Sequence, residues 1–270
     1  MKKLVTLLFL LVSGFAFAQN KETRNVGTFT KLSFRIPGKL ILKQGSPQSV
    51  VLEGDKETLS KIETEVDGGR LTIGRENHRW MDWNWRDEKK ITAYVTVSNI
   101  EALSVSGSGD LVGDGKFSTG DLDLKVSGSG SLNIEVDAKG QLEADVSGSG
   151  DLSIKGSSQS LESSVSGSGK VSVTASISGK ADISVSGSGK VSASGTAQQI
   201  KATISGSGKV LAADLEVSKC EVRISGSGDV EINVKDALEA NISGSGSVTY
   251  KGNPSQVNSH ASGSGHVRKM

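Results

Sequence analysis

The tetrapeptide Ser-Gly-Ser-Gly begins at Ser106, Ser127, Ser147, Ser166, Ser186, Ser205, Ser225, Ser243 and Ser262, a step of about twenty residues. A period of that length restricts the fold before any other feature does. It marks a chain of stacked coils, none of which can bury an apolar edge alone. The flanking residues keep the same phase. Directly before the copies stand Val105, Val126, Val146, Val165, Val185, Ile204, Ile224, Ile242 and Ala261, and two residues after them Leu111, Leu132, Leu152, Val171, Val191, Val210, Val230, Val248 and Val267. Four residues before the first of these columns lie Leu122, Leu142, Leu161, Ala181, Ile200, Cys220, Leu238 and Val257. All offsets are even, so the alternation of a β-strand runs through the tetrapeptide itself. That parity predicts both serines outward and both glycines inward, where a side chain has no room. A flexible linker keeps no such phase. The expected fold is all-β, a right-handed parallel β-helix (solenoid) of about 20-residue coils. Stacked about 4.8 Å apart, nine coils enclose an aliphatic interior about 43 Å long, and parallel strands joined this way wind right-handed.

Aromatic residues make up only 4% of the chain, so the interior falls to Val, Leu, Ile and Ala, and three prolines in 270 residues argue against a disordered Pro-rich polymer. Residues 19–104 lack the tetrapeptide but stay β-rich. "KLSFRIPGKLILKQG", "SVVLEG", "KIETEVDGGRLTIG" and "KKITAYVTV" alternate between turn residues, with Asp67-Gly68-Gly69 as a tight turn. This region is read as an irregular β-rich N-terminal cap and first coils, continuous with the repeat region 105–270. A cap is needed because an open solenoid end exposes strand edges. At the other end, His266, Arg268 and Lys269 are expected to protect the edge by charge.

Residues 1–18 read as a secretory signal peptide: Lys2 and Lys3, an apolar run from Leu4 to Val12, and Ala16-Phe17-Ala18 before the cut. The run is too short to span a membrane as a helix, so no transmembrane segment is expected in the mature chain. The expected location is the periplasm, the outer-membrane surface or the medium. The residue directly after the cut is Gln19 and not a cysteine, which argues against a lipoprotein. The one cysteine, Cys220, leaves no intramolecular disulfide. Without Lys2 and Lys3 the chain is close to neutral, and nothing in it forms the basic face that nucleic acid requires.

The entry "KITAYVTVSNIEALSVSGSGD", the irregular β-rich segment before it and the tandem "VSGSGDL"-type coils after it resemble the GIN-domain family, heads of autotransporter adhesins in exported bacterial proteins. The resemblance covers about residues 27–267. It implies a β-helix shaped like the pectin lyases without their catalytic residues, and a role in adhesion. No segment follows Met270 to form a membrane β-barrel, so the chain is not expected to transport itself.

Catalysis finds little footing in the residues. The three histidines, His78, His260 and His266, stand in no metal or general-base spacing. Two readings remain open: a non-enzymatic, adhesin-like binding or scaffold protein of the cell envelope, contacting a glycan or an envelope or host protein, and a polysaccharide-active enzyme or carbohydrate-binding module. The second, in its pectin-lyase form, needs carboxylates and a Lys or Arg converging on one wall. Two candidate sites follow. In "HRWMDWNWRDEKK", residues 78–90, all three tryptophans, Trp80, Trp83 and Trp85, cluster with Arg79 and Arg86, offering flat apolar faces and hydrogen-bonding groups to a sugar or protein partner. The alternative for this segment is a cap that buries the indoles over the solenoid end. An outward column of Asp123, Glu143, Glu162 and Asp182 stacks four carboxylates on consecutive coils. Neighbouring lysines such as Lys125 and Lys180 would balance them, or a calcium ion would, since it takes oxygen ligands. No other cofactor is expected.

Overall fold

The structure, a computed structural model, describes residues 20–75 and 91–270. The signal-peptide reading and the candidate site at Arg79, Trp80, Trp83, Trp85 and Arg86 therefore lie outside the described residues. The chain runs β1 (Asn20–Arg24), β2 (Lys31–Phe34), β3 (Lys39–Gln44), β4 (Ser49–Gly54), a single-turn α1 (Lys56–Leu59), β5 (Ile62–Asp67), β6 (Arg70–Arg75) and β7 (Thr92–Val97). The repeat region contributes β8 (Ala102–Gly107), β9 (Asp110–Thr119), β10 (Leu122–Gly128), β11 (Ser131–Ala138), β12 (Gln141–Gly148), β13 (Asp151–Ser158), β14 (Ser160–Gly167) and β15 (Lys170–Ile177). It continues through β16 (Lys180–Gly187), β17 (Lys190–Gly206), β18 (Lys209–Gly226), β19 (Asp229–Gly244), β20 (Ser247–Lys251), β21 (Gln256–Ser262) and β22 (His266–Lys269).

Each tetrapeptide ends one strand and leads into the next, and each strand pairs in parallel with its counterparts one coil away. Val126 lies opposite Val105 and Val146, and Leu132 opposite Leu111 and Leu152. The result is a β-solenoid of about eight turns, about 20 residues apart. The columns that the sequence placed inward are buried, from Leu122 and Val126 through Cys220, Leu238 and Ile242. In the coil of the ninth copy this ends: Val257 is 41% exposed and Ala261 is exposed.

The glycines depart from the parity. In each of the first eight copies the second glycine, such as Gly109, Gly130, Gly150 and Gly169, is buried as expected. The first is not: Gly148 and Gly167 are exposed and have φ of 108° and 111°. The chain turns its corner there, so one residue leaves the alternation and the next glycine restores it. A Cβ on Gly148 would stand 2.7 Å from the carbonyl oxygen of Gly128, while one on Gly150 would stand 2.6 Å from both Gly130 O and the Val126 Cγ1 methyl. One glycine is required by backbone conformation and the other by the space the valine column fills.

The first coils continue both walls with degenerate copies of the same strand. Lys31-Leu32-Ser33-Phe34 pairs in parallel with Ala102-Leu103-Ser104-Val105 on one side and with Arg70-Leu71-Thr72-Ile73 on the other. On the second wall β3 lies between β9 and β7. The outermost strands are antiparallel: β5 on β6, β4 on β7 and β1 on β4. Asp67-Gly68-Gly69-Arg70 makes the expected tight turn, with positive φ at both glycines (53° and 73°).

Candidate functional site

The tetrapeptide corners stack into a ridge whose backbone is satisfied coil to coil. Ser149 N–H donates to Gly128 O, Ser168 to Gly148 O and Ser188 to Gly167 O, each at 2.9 Å. Ser147, Ser149, Ser166 and Ser168 face solvent along it. At the N-terminal end the register identifies what takes the place of the corner. Ile73 aligns with Phe34 and, through it, with Val105, so Arg75 stands level with Ile36 and Gly107. Ile91 O accepts from Lys39 N–H at 2.9 Å, and Gly38 O accepts from Asp110 N–H at 2.8 Å, so Ile91 stands level with Gly38 and Gly109. Where the regular coil has Ser108 alone between those two levels, this coil has residues 76–90. The described residues on either side of the tryptophan-bearing segment thus stand at the levels of the two glycines of a tetrapeptide corner.

The second candidate column is a true ladder. Asp123 pairs with Glu143, Glu143 with Glu162, and Glu162 with Asp182, after which Lys201, Glu221, Glu239 and Asn258 continue it. Lys125 reaches Asp145 at 3.1 Å and Asp123 at 3.8 Å, and Lys180 reaches Asp182 at 3.0 Å. Gln141 Nε2 donates to Glu162 Oε2 at 3.2 Å. Lysines therefore stand beside Asp123, Asp145 and Asp182. Among the described residues no three His, Cys, Asp or Glu side chains converge to hold a metal ion.

Burial raises the Glu143 carboxyl above its ordinary range, and the Asp123 and Asp145 carboxylates beside it add to the effect. A carboxyl raised in the folded state holds its proton more tightly there than in the unfolded chain, so stability falls as pH rises through the carboxylate range. Glu143→Gln is accordingly expected to stabilise the protein at neutral pH by about 0.2–1 kcal/mol, the size of a cross-strand pair. The gain is expected to vanish in acid, where Glu143 is already neutral. Urea melts of both proteins across pH 3 to 7 check this, and a gain that persists unchanged in acid contradicts it.

The same column extends in the other direction, which the sequence reading missed. Ala102 lies opposite Asp123, Lys31 opposite Ala102, and Arg70 opposite Lys31. The available signal was the shared pattern of Lys31-Leu32-Ser33-Phe34, Arg70-Leu71-Thr72-Ile73 and Ala102-Leu103-Ser104-Val105. Cys220 carries no chemistry here, since burial pushes its thiol up to about 12, well out of thiolate range.

A family model with the description "Putative auto-transporter adhesin, head GIN domain" matches residues 28–193 and 179–254. The chain belongs to the GIN-domain family. Solved structures share the fold of this GIN-domain chain. One titled a "Putative lipid binding protein", from Parabacteroides distasonis ATCC 8503, has 20% identity and a TM-score of 0.72, covering 94% of this chain and 98% of its own. A "putative adhesin" from Parabacteroides merdae ATCC 43184 has 19% identity and a TM-score of 0.69, covering 94% and 97%. Another "putative adhesin", from Bacteroides fragilis NCTC 9343, has 20% identity and a TM-score of 0.55, covering 94% and 98%. No curated protein matches the chain. The description of the GIN-domain family agrees with an adhesin-like protein. No described helix is long and apolar enough to cross a membrane.

Proposed function

We propose that the protein is exported to the bacterial cell envelope or beyond and acts there as a non-enzymatic, adhesin-like binding or scaffold protein, holding a glycan or an envelope or host protein. The observation that carries this reading is the alignment of Arg75 and Ile91 with the two glycines of a corner, which leaves residues 76–90 to join them. A regular rod built from minimal corners spends fifteen residues at one of them, and those residues hold every tryptophan of the chain. Tryptophan, with Arg79 and Arg86 beside it, suits contact with sugar rings and protein hot spots. The long parallel ladder beneath supplies a rigid support, which keeps a contact segment from losing its affinity to ordering costs.

Trp83→Ala is the test. In a binding segment it leaves the melting temperature nearly unchanged and abolishes capture of envelope components or glycan-array signals. In a cap it lowers stability by about 3–5 kcal/mol, and the contact assignment fails. The non-enzymatic part is tested separately, by incubation with acidic and neutral polysaccharides. New reducing ends or unsaturated products overturn it.

A further inference from the structure

The column that runs Arg70, Lys31, Ala102, Asp123 changes from cationic to anionic across its smallest side chain. Ala102 is only 6% exposed, and a shallow cleft of about 450 Å³ opens over it. Lys31 and Arg70 line one side. Asp121 and Asp123 line the other, and Glu101 lies between, its carboxylate turned to Thr30 beside Lys31. At strand spacing, Lys31 and Asp123 are about 10 Å apart on their Cα atoms. Among the described residues neither Lys31 nor Arg70 has a carboxylate within ion-pair distance. The acids hold spare acceptors: Glu101 accepts from the Thr30 hydroxyl (3.0 Å) through Oε2, and Asp121 accepts from Gln141 N–H (2.7 Å) through Oδ1. The Asp123 Oδ1 atom is buried 3.8 Å from Lys125 Nζ, while the side chain as a whole is 41% exposed, so its other oxygen is the acceptor open to a ligand.

These groups restrict the ligand. A simple cation meets Lys31 and Arg70, and a compact polyanion such as phosphate meets three carboxylates. A neutral sugar leaves both cations unmatched. A molecule with one carboxylate and several hydroxyl donors satisfies both sides, because ionised acids only accept and Lys and Arg only donate. We propose that this cleft binds a uronate, an acidic sugar unit of a glycan, with its carboxylate against Lys31 and Arg70, its ring over Ala102 and its hydroxyls donating to Asp121, Asp123 and Glu101. The inference rests on the binding reading above and specifies a ligand class and a second contact, made by other residues than the tryptophan segment.

The test is ligand-observed NMR saturation transfer to the full chain, using galacturonate and glucuronate against galactose and glucose. Uronates are expected to receive saturation and the neutral sugars to bind at least tenfold more weakly. Lys31→Ala/Arg70→Ala is expected to raise the uronate Kd at least tenfold, and Asp123→Asn to raise it severalfold, with both variants still folded by circular dichroism at the temperature of the measurement. Lys170→Ala/Lys190→Ala, on the other wall, is the control for general charge and is expected to leave binding unchanged. Equal binding of neutral sugars, no uronate binding, or equal loss in the control overturns the proposal. Uronate binding accompanied by cleavage instead overturns the non-enzymatic reading and leaves the cleft in place, whereas a silent cleft leaves the adhesin reading untouched.

Discussion

Gly150→Val is expected to destabilise the protein by about 3 kcal/mol or more, at or beyond the upper end for overpacking a tight interior. The reason is local and leaves no escape. The new Cβ arrives 2.6 Å from the Gly130 carbonyl oxygen, which is backbone in the neighbouring coil, and equally close to the Val126 methyl. Backbone cannot rotate aside as the end of a long side chain can. All three nearest atoms, Gly130 O, the Val126 methyl and Gly128 O, belong to the preceding coil, so the strain falls on one coil-to-coil contact. Gly148→Val is expected to be costly for a different reason, a β-branched residue held at φ 108° against Gly128 O. Ser149→Thr, exposed between them, is expected to stay within about 0.5 kcal/mol. Chemical denaturation of the three variants checks the order. A harmless Gly150→Val would mean that the valine column does not fill the corner.

Phe34→Ala is expected to cost about 3–5 kcal/mol. Phe34 is fully buried in the second strand of the chain, and its ring occupies the space over Gly109 that a side chain there would need. Its strand hydrogen-bonds β8 on one side and β6 on the other. Truncation therefore opens a cavity at the junction between the irregular first coils and the first tetrapeptide coil. The loss is expected in a single cooperative unfolding transition, because the interior is one hydrophobic cluster from Phe29 to Val248. A Phe34→Ala protein that melts in two steps would show instead that the early coils unfold on their own.

The fold was legible in the sequence wherever side chains carry the period. Val, Leu and Ile at even offsets announced their own burial, and the outward Asp123 to Asp182 column could be counted off the same frame. The frame slips at the first glycine of each copy because alternation is read from side chains, and glycine has none to show that the backbone has turned through positive φ. The charged cleft was hidden for a related reason. Lys31 and Arg70 are far from Asp123 in sequence, and their strands keep the coil pattern but lack the tetrapeptide that marks the phase. Aromatic concentration at Trp80, Trp83 and Trp85 was plain, but the alignment of the flanking Arg75 and Ile91 with Gly107 and Gly109 was not. That alignment exists only once the strands are paired.

All of these assignments rest on one claim, that successive tetrapeptides stand one above the next in an unbroken parallel ladder. Distance measurement by pulsed electron–electron resonance between spin labels at Ser127→Cys and Ser243→Cys, in a Cys220→Ala background, tests it most directly. Both serines are exposed, and six coil steps separate them. The ladder predicts a narrow distribution centred near about 29 Å. A broad distribution centred near about 60 Å, the span of a flexible Gly/Ser-rich chain of that length, would contradict it.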